Sequence, residues 1–217
     1  METIAFKTSL YYYLKKLFYI HPEILVSILT KYKAMIAGGF ASFIYSSNNG
    51  IVEDYNGDID IWIPIIYEEP KLSTINKIKI DFEQVLSNYT KICEYNFIKI
   101  ISKHNYYKNI KNKDSNLSDI LYIIKFKNDN KEIQLIFTNQ SNLDVLSHFD
   151  LSFCSIGYDG LDILHPILEQ KLSRHKIGYV INKHMQTNKR IIKYQTRGYK
   201  IFDDRESALH SLSLIED

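Results

Sequence analysis

The sequence predicts an α/β (α+β) fold: a mixed sheet with N-terminal helices and a small C-terminal helical extension. Three observations predict it. Residues 8–31 place apolar side chains at helical spacing, through Leu10, Leu14, Leu17 and Phe18 and then Ile24, Leu25, Ile28 and Leu29, with Pro22 between the two runs. Ala34-Met35-Ile36-Ala37 is a short apolar run that enters Gly38-Gly39, and Gly57-Asp58-Ile59-Asp60-Ile61-Trp62-Ile63 alternates with period two. Beyond residue 96 three further strand-like segments follow one another, and after residue 166 the chain becomes helical in spacing and basic.

Taken in order, residues 8–31 form two packed helices separated at Pro22, ahead of a first core strand at 34–37. Phe40-Ala41-Ser42-Phe43-Ile44-Tyr45 has helical spacing directly after the diglycine, and the helix runs to about Tyr45. The turn-forming residues Ser47-Asn48-Asn49-Gly50 then make a loop before the aspartate strand. Residues 73–90 fit another amphipathic helix. Strands are expected at Phe97–Ser102, Ile120–Phe126 and Glu132–Phe137, the last two joined by a tight turn at Asn128-Asp129-Asn130. The polar stretch His104–Ser118, with Lys108, Lys111 and Lys113, reads as a solvated loop. A strand at Leu151–Tyr158 would close the sheet, residues 166–200 would be helical, and Phe202 to Asp217 would be a short helix with a frayed end. The expected organisation is a core over residues 1–160 and a basic helical extension over 161–217 packed on it.

At 217 residues, with 45% apolar and 24% charged residues, the chain has the composition of a folded globular protein with a sizeable core. It has no apolar run of membrane-spanning length and no leader pattern, and Cys93 and Cys154 give no disulfide framework, so the expected location is cytoplasmic, in a reducing compartment. His148, His165, His175 and His184 do not form a zinc-ligand spacing. A Gly-x-Ser-x-Gly elbow, a Walker loop and a dinucleotide fingerprint are likewise absent. The net charge of +2 is small but unevenly spread: Gln170 to Phe202 holds nine Lys and Arg and no acidic residue.

The chemistry concentrates at the two central motifs. In an extended strand Asp58 and Asp60 share one face, roughly 6–7 Å apart, while Ile59, Ile61 and Ile63 pack on the other. Two adjacent carboxylates with no basic residue between them repel unless a cation intervenes, and oxygen ligands at that spacing suit hard divalent ions. Gly38 and Gly39 let the backbone turn sharply into a helix N-terminus, where free N–H groups meet an anion, and Ser42 stands close enough to add a hydroxyl. Each motif also has a plain alternative: a solvated strand face for the acids, a simple turn for the glycines. Together they describe a phosphate cradle beside a metal site.

The order Ala37-Gly38-Gly39 followed by Asp58-Ile59-Asp60-Ile61 resembles the signature of the nucleotidyltransferase superfamily, which includes DNA polymerase beta, poly(A) polymerases and CCA-adding enzymes. Ile133-Gln134-Leu135-Ile136-Phe137, Phe149-Asp150-Leu151-Ser152-Phe153-Cys154, Gly157-Tyr158-Asp159 and the basic Arg190-Ile191-Ile192-Lys193-Tyr194 with Arg197-Gly198-Tyr199 resemble compact members found in large DNA viruses and phages. The resemblance spans roughly residues 34–200. It implies a mixed-sheet nucleotidyltransferase core, Mg²⁺ or Mn²⁺ held by Asp58 and Asp60, an NTP substrate with its phosphates on Gly38, Gly39 and Ser42, and catalysis by the two aspartates with help from Asp150. Lys193 and Arg197, which share a face if residues 187–197 are helical, are candidates for triphosphate oxygens or for an RNA backbone.

Two departures qualify it. Eighteen residues separate Gly39 from Asp58, more than the family usually has, which implies an inserted loop at residues 47–50. The third carboxylate of many members is matched here by Gln134, whose neutral amide can neither act as general base nor offset metal charge. The expected function is transfer of a nucleoside monophosphate from an NTP to an acceptor hydroxyl, an RNA 3′ end before a protein or small alcohol. The alternatives are a nucleotide- or RNA-binding module of the same fold without chemistry, and a purely structural cation at the aspartates. Oligomeric state and the preferred NTP stay open.

Overall fold

Pro22 and Lys33 bracket a helix that buries Leu25, Ile28 and Leu29 as its spacing predicts, with Val26 buried in place of the expected Ile24, which is exposed. Proline opens the first turn, and Lys33, in the left-handed conformation, closes the last by donating its N–H to Leu29 and Thr30 carbonyls. In the computed structural model, which describes residues 2–47, 55–65, 72–98, 119–166, 170–183 and 186–216, this is α2 (Pro22–Tyr32), preceded by α1 (Glu2–Leu17). The chain continues through β1 (Met35–Ala37), α3 (Gly39–Ser46), β2 (Ile59–Pro64), α4 (Leu72–Val85), β3 (Thr90–Asn96), β4 (Ile120–Asn128) and β5 (Lys131–Thr138). It ends with α5 (Asn142–Ser147), β6 (Gly157–Tyr158), β7 (Ile163–Leu164), α6 (Gln170–Arg174), β8 (Ile177–Tyr179), α7 (Thr187–Gln195), β9 (Lys200–Phe202) and α8 (Arg205–Glu216).

Seven of these strands make one mixed sheet in the order β3-β4-β5-β2-β1-β6-β7. The pairing of β2 with β5 is parallel, and every other pairing in that sheet is antiparallel. The β4–β5 hairpin turns at Asp129, which takes a positive φ of 50°, as the sequence Asn128-Asp129-Asn130 predicts. The chain is thus α+β with a mixed sheet.

The period-two pattern of β2 decides which face is covered. Ile59, Ile61 and Ile63 are fully buried and join Phe6, Leu10 and Leu14 of α1, Leu25 and Leu29 of α2, Phe40 and Ile44 of α3, and Ile75 and Phe82 of α4 in the main core. On the opposite face α5 lays Val145 and Leu146 over Met35 and Ala37, with Trp62 and Phe149 packed alongside. A capping box between Ser141 and Asp144 starts that helix. The face carrying Asp60 thus lies between α5 and the C-terminal segment, whose Lys193 reaches Asp58.

The structure departs from the expected elements at four places. The helix expected over 73–90 stops at Val85, and Thr90–Asn96 is an edge strand in place of one at Phe97–Ser102, whose residues 99–102 lie outside the described residues. Its pairing with β4 overrides a spacing that reads equally as helix. The loop His104–Ser118 and Asn48–Gly50 also lie outside them. Leu151–Tyr158 is not one strand: Leu151 makes a lone bridge to Val180, Ser152–Cys154 is a 3₁₀ turn, and only Gly157 and Tyr158 join the sheet. The turn is fixed by side chains, Ser155 donating to the Leu146 carbonyl at 2.7 Å and Ser152 accepting from the Tyr179 N–H at 2.9 Å. The segment 166–200 is not uniformly helical either, because β8 pairs in parallel with β9 and buries Ile177 and Tyr179. A second cluster, Leu151, Phe153, Cys154, Tyr194 and Tyr199, fastens α7 to the 3₁₀ turn.

Candidate active site on β2 and the diglycine turn

Pairing of β1 with β2 sets Ala37 opposite Asp60, so the chain leaves β1 at Gly38 beside the aspartate. Gly38 has φ +79°, a conformation that glycine takes without strain, and caps α3 by accepting from the Ser42 N–H at 2.9 Å. A Cβ on Gly38 would lie 3.8 Å from Asp60 Oδ2. The diglycine turn and the aspartate strand thus meet, as the sequence predicts. Gly38's own N–H is donated to the Ile156 carbonyl at 3.1 Å. The groups left for an anion are the first-turn N–H groups that begin at Gly39, which have no partner within the helix. Gly39 is also where α7 approaches closest, since a Cβ there would collide with the Tyr194 hydroxyl.

Asp58 stands just ahead of β2 and is held from several sides. Its carbonyl accepts from the Tyr55 hydroxyl at 2.9 Å, and its Oδ2 accepts from Gln134 Nε2 at 3.0 Å. Its Oδ1 lies 4.0 Å from Lys193 Nζ. Gln134 is the residue that parallel pairing sets directly beside Asp60, the place where the sequence resemblance expects a carboxylate. An amide there removes one negative charge and donates a hydrogen bond to another.

Asp60 is half-buried, and its carboxyl is pushed up from an ordinary 3.8 to about 7 by burial first and by the Asp58 charge second, against the pull of Arg190, Lys193 and Lys125. An acid whose pKa is higher folded than unfolded contributes stability at low pH that disappears as pH rises through the folded value. In chelator-containing buffer, stability attributable to Asp60 should therefore fall between pH about 4 and about 7, by about 2 kcal/mol after allowing for its partial exposure. Thermal unfolding across that range checks this, and the fall should vanish in Asp60→Asn.

The remaining predicted residues divide. Lys193 points at Asp58, consistent with a role at this site. Arg197, just past α7, lies 5.5 Å from the ring centres of both Tyr55 and Tyr194, at the rim of a cavity of about 240 Å³ that also opens onto Gly39. Ser42 is buried, its hydroxyl 3.1 Å from that of Tyr199, so it supports the floor of this cavity. Asp150 is 3% exposed and faces Arg190, Nη1 to Oδ1 at 3.4 Å. Among the described residues no three acidic, His or Cys side chains group closely enough to hold one metal ion, so Asp150 does not complete a triad with Asp58 and Asp60. Of the residues around the site, Arg190, Tyr194 and Tyr199 stand in the sequence within the basic segment but without a predicted role of their own, and Tyr55 was left out. Its only signal was position, three residues before Asp58.

No protein-family model matches the chain, and no curated protein matches it in sequence. Among solved structures, a CCA-adding enzyme in complex with CTP superposes with a TM-score of 0.49 at 10% identity, covering 84% of this chain and 40% of that one. A tRNA-processing enzyme in an apo form superposes with a TM-score of 0.49 at 10% identity, covering 89% of this chain and 46% of that one. The chain thus spans less than half the length of either. Among the described residues no helix is long and apolar enough to cross a membrane.

Proposed function

We propose that the chain is a Mg²⁺- or Mn²⁺-dependent nucleotidyltransferase that moves a nucleoside monophosphate from an NTP to an acceptor hydroxyl, with an RNA 3′ end as the acceptor. The observation that carries this is Asp60 standing beside the diglycine turn at the N-terminus of α3, with Asp58 two residues before it. The donor set fits a divalent cation: two carboxylates stand two residues apart at the start of β2, and burial and then the charge of Asp58 raise the pKa of Asp60, which a bound cation relieves. Asp58 and Asp60 would hold that ion, which supplies charge neutralisation at the triphosphate and a lower pKa for the attacking hydroxyl.

The chain's own residues do the rest. First-turn N–H groups from Gly39 onward donate to phosphate oxygens, and Arg197, at the rim of the same cavity, adds a charged fork. Lys193, half-exposed beside Asp58, faces the same charge. Gln134 fixes the orientation of Asp58 by its hydrogen bond. The exposed basic residues around α7, such as Lys189, suit a phosphate backbone arriving at this face.

Gln134 is also the observation that favours a second reading, a module that binds nucleotide or RNA without chemistry, because no carboxylate stands at its place to serve as general base. Incubation with each labelled NTP, Mg²⁺ and a pool of small RNAs separates the two. Label joined to RNA with release of pyrophosphate supports the transferase, and label on the protein redirects the acceptor to a side chain. Nucleotide binding with no pyrophosphate released supports the binding module.

A further inference from the structure

A second cavity, of about 180 Å³, lies on the same face of β2 beyond Asp60, and two of its lining residues bear buried polar atoms with no hydrogen-bond partner among the described residues. They are Trp62 Nε1, a donor, and Asp150 Oδ1, an acceptor. A buried indole N–H or carboxylate oxygen is normally satisfied, and leaving one unmade costs free energy that a ligand's hydrogen bond recovers. Arg190 lies 3.4 Å from the same Asp150 oxygen as a counter-charge, without a hydrogen bond to it.

The chemistry of the lining narrows the ligand. A free anion is opposed by the Asp150 carboxylate and a free cation by the Arg190 guanidinium. The remaining polar lining is already bonded, Thr138 and Gln140 to Asp119 and His148 to the Asp144 carbonyl, and the apolar walls are Trp62, Phe149, Ile120 and Val145. A neutral, flat group with an apolar face and an edge that offers one donor and one acceptor satisfies all of these, and the hydrogen-bonding edge of a nucleobase is such a group. The placement agrees. Trp62 follows Asp60 by two residues on one strand face, roughly 6–7 Å along β2. Phe149 forms the partition: its Cε1 is 3.5 Å from where a Gly38 Cβ would stand, and its ring meets Trp62 edge-on at 6.0 Å.

We propose that this cavity is a nucleobase subsite in which Asp150 Oδ1 accepts from, and Trp62 Nε1 donates to, the edge of a base whose sugar and phosphate extend past Phe149 toward Asp58 and Asp60. It rests on the nucleotidyl-transfer reading and gives Asp150 a recognition role in place of a catalytic one. The base belongs either to the incoming NTP or to the last nucleotide of the acceptor.

Trp62 is the only tryptophan of the chain, so its emission reports this cavity directly. Titrating the whole protein with the four free nucleosides, without metal, should change Trp62 emission saturably for at least one of them. Ribose should give no change, and Asp150→Asn should weaken the response by about tenfold. Far-ultraviolet circular dichroism checks that this variant is folded. If it is not, Trp62→Phe, which deletes only the indole donor, should weaken nucleoside binding to a similar extent by calorimetry. The same nucleoside response in Asp58→Asn/Asp60→Asn, where transfer is lost, separates the subsite from the catalytic assignment. A nucleoside response abolished by saturating NTP assigns the base to the incoming nucleotide. A response to an RNA oligonucleotide that survives saturating NTP assigns it to the acceptor end. No response to any nucleoside, or an equal response to ribose or in Asp150→Asn, overturns the proposal.

Discussion

Changing Asp58 and Asp60 together to Asn should lower nucleotidyl transfer by roughly three orders of magnitude while leaving the protein folded. The amides keep the volume of the carboxylates but hold a hard cation poorly, and the several kcal/mol that a metal contributes to charge stabilisation in the transition state are lost with it. Asp60 is half-exposed and carries a pKa raised to about 7, so at neutral pH without metal its ionised form works against folding. The double variant should therefore melt at or above the temperature of the metal-free parent at pH 8. Transfer measured by label incorporation, with melting followed in parallel, tests both halves. An inactive variant that has also unfolded would not support the assignment.

Phe40→Ala should destabilise the protein by about 3–5 kcal/mol, lowering its melting temperature by about 10 °C. Phe40 is fully buried in the first turn of α3, with ring centres 5.3 Å from Phe18 and 5.1 Å from Tyr55. Truncation leaves a cavity between α1, α3 and the segment before β2, and close-packed aromatic neighbours collapse into it only in part. The effect reaches the site, because Tyr55 donates to the Asp58 carbonyl and Phe40 directly follows the diglycine turn. Transfer should fall as well, even under conditions where the variant is folded. Calorimetric or circular-dichroism melting gives the stability change directly.

These two residues also mark what was legible in the sequence. The alternation of Asp60 and Trp62 with Ile59, Ile61 and Ile63 has a period of two, so burial of the isoleucines alone dictates where Asp60 points. Gly38 needs a positive φ for the chain to turn from β1 into α3, and a local pattern carries that information. The N-terminal helices follow from Pro22 and helical spacing in the same way. Gln134 beside Asp60 was implied by the family resemblance, and parallel pairing puts it there.

What the sequence hid depends on partners far along the chain. Ser42 lies in the helix expected from its spacing, and its hydroxyl meets that of Tyr199, 157 residues later. Asp150 precedes a stretch rich in strand formers, but Ser152 and Ser155 bond to distant backbone and bend it into a turn, and Arg190 then closes over the carboxylate. Strands β8 and β9 are three residues each, too short to show a period within a basic segment that otherwise reads as helix. Trp62 had no role of its own in the sequence, and its N–H is buried without a partner among the described residues where Val145, Leu146 and Phe149 pack nearby.

The most direct test of the site at Asp58 and Asp60 is electron paramagnetic resonance of Mn²⁺ titrated into the protein, with and without NTP, for the parent chain and for Asp58→Asn/Asp60→Asn. Bound Mn²⁺ in the parent, tightened by NTP and lost in the double variant, is the predicted result. Equal Mn²⁺ binding by both proteins would contradict it, and would remove the metal from β2.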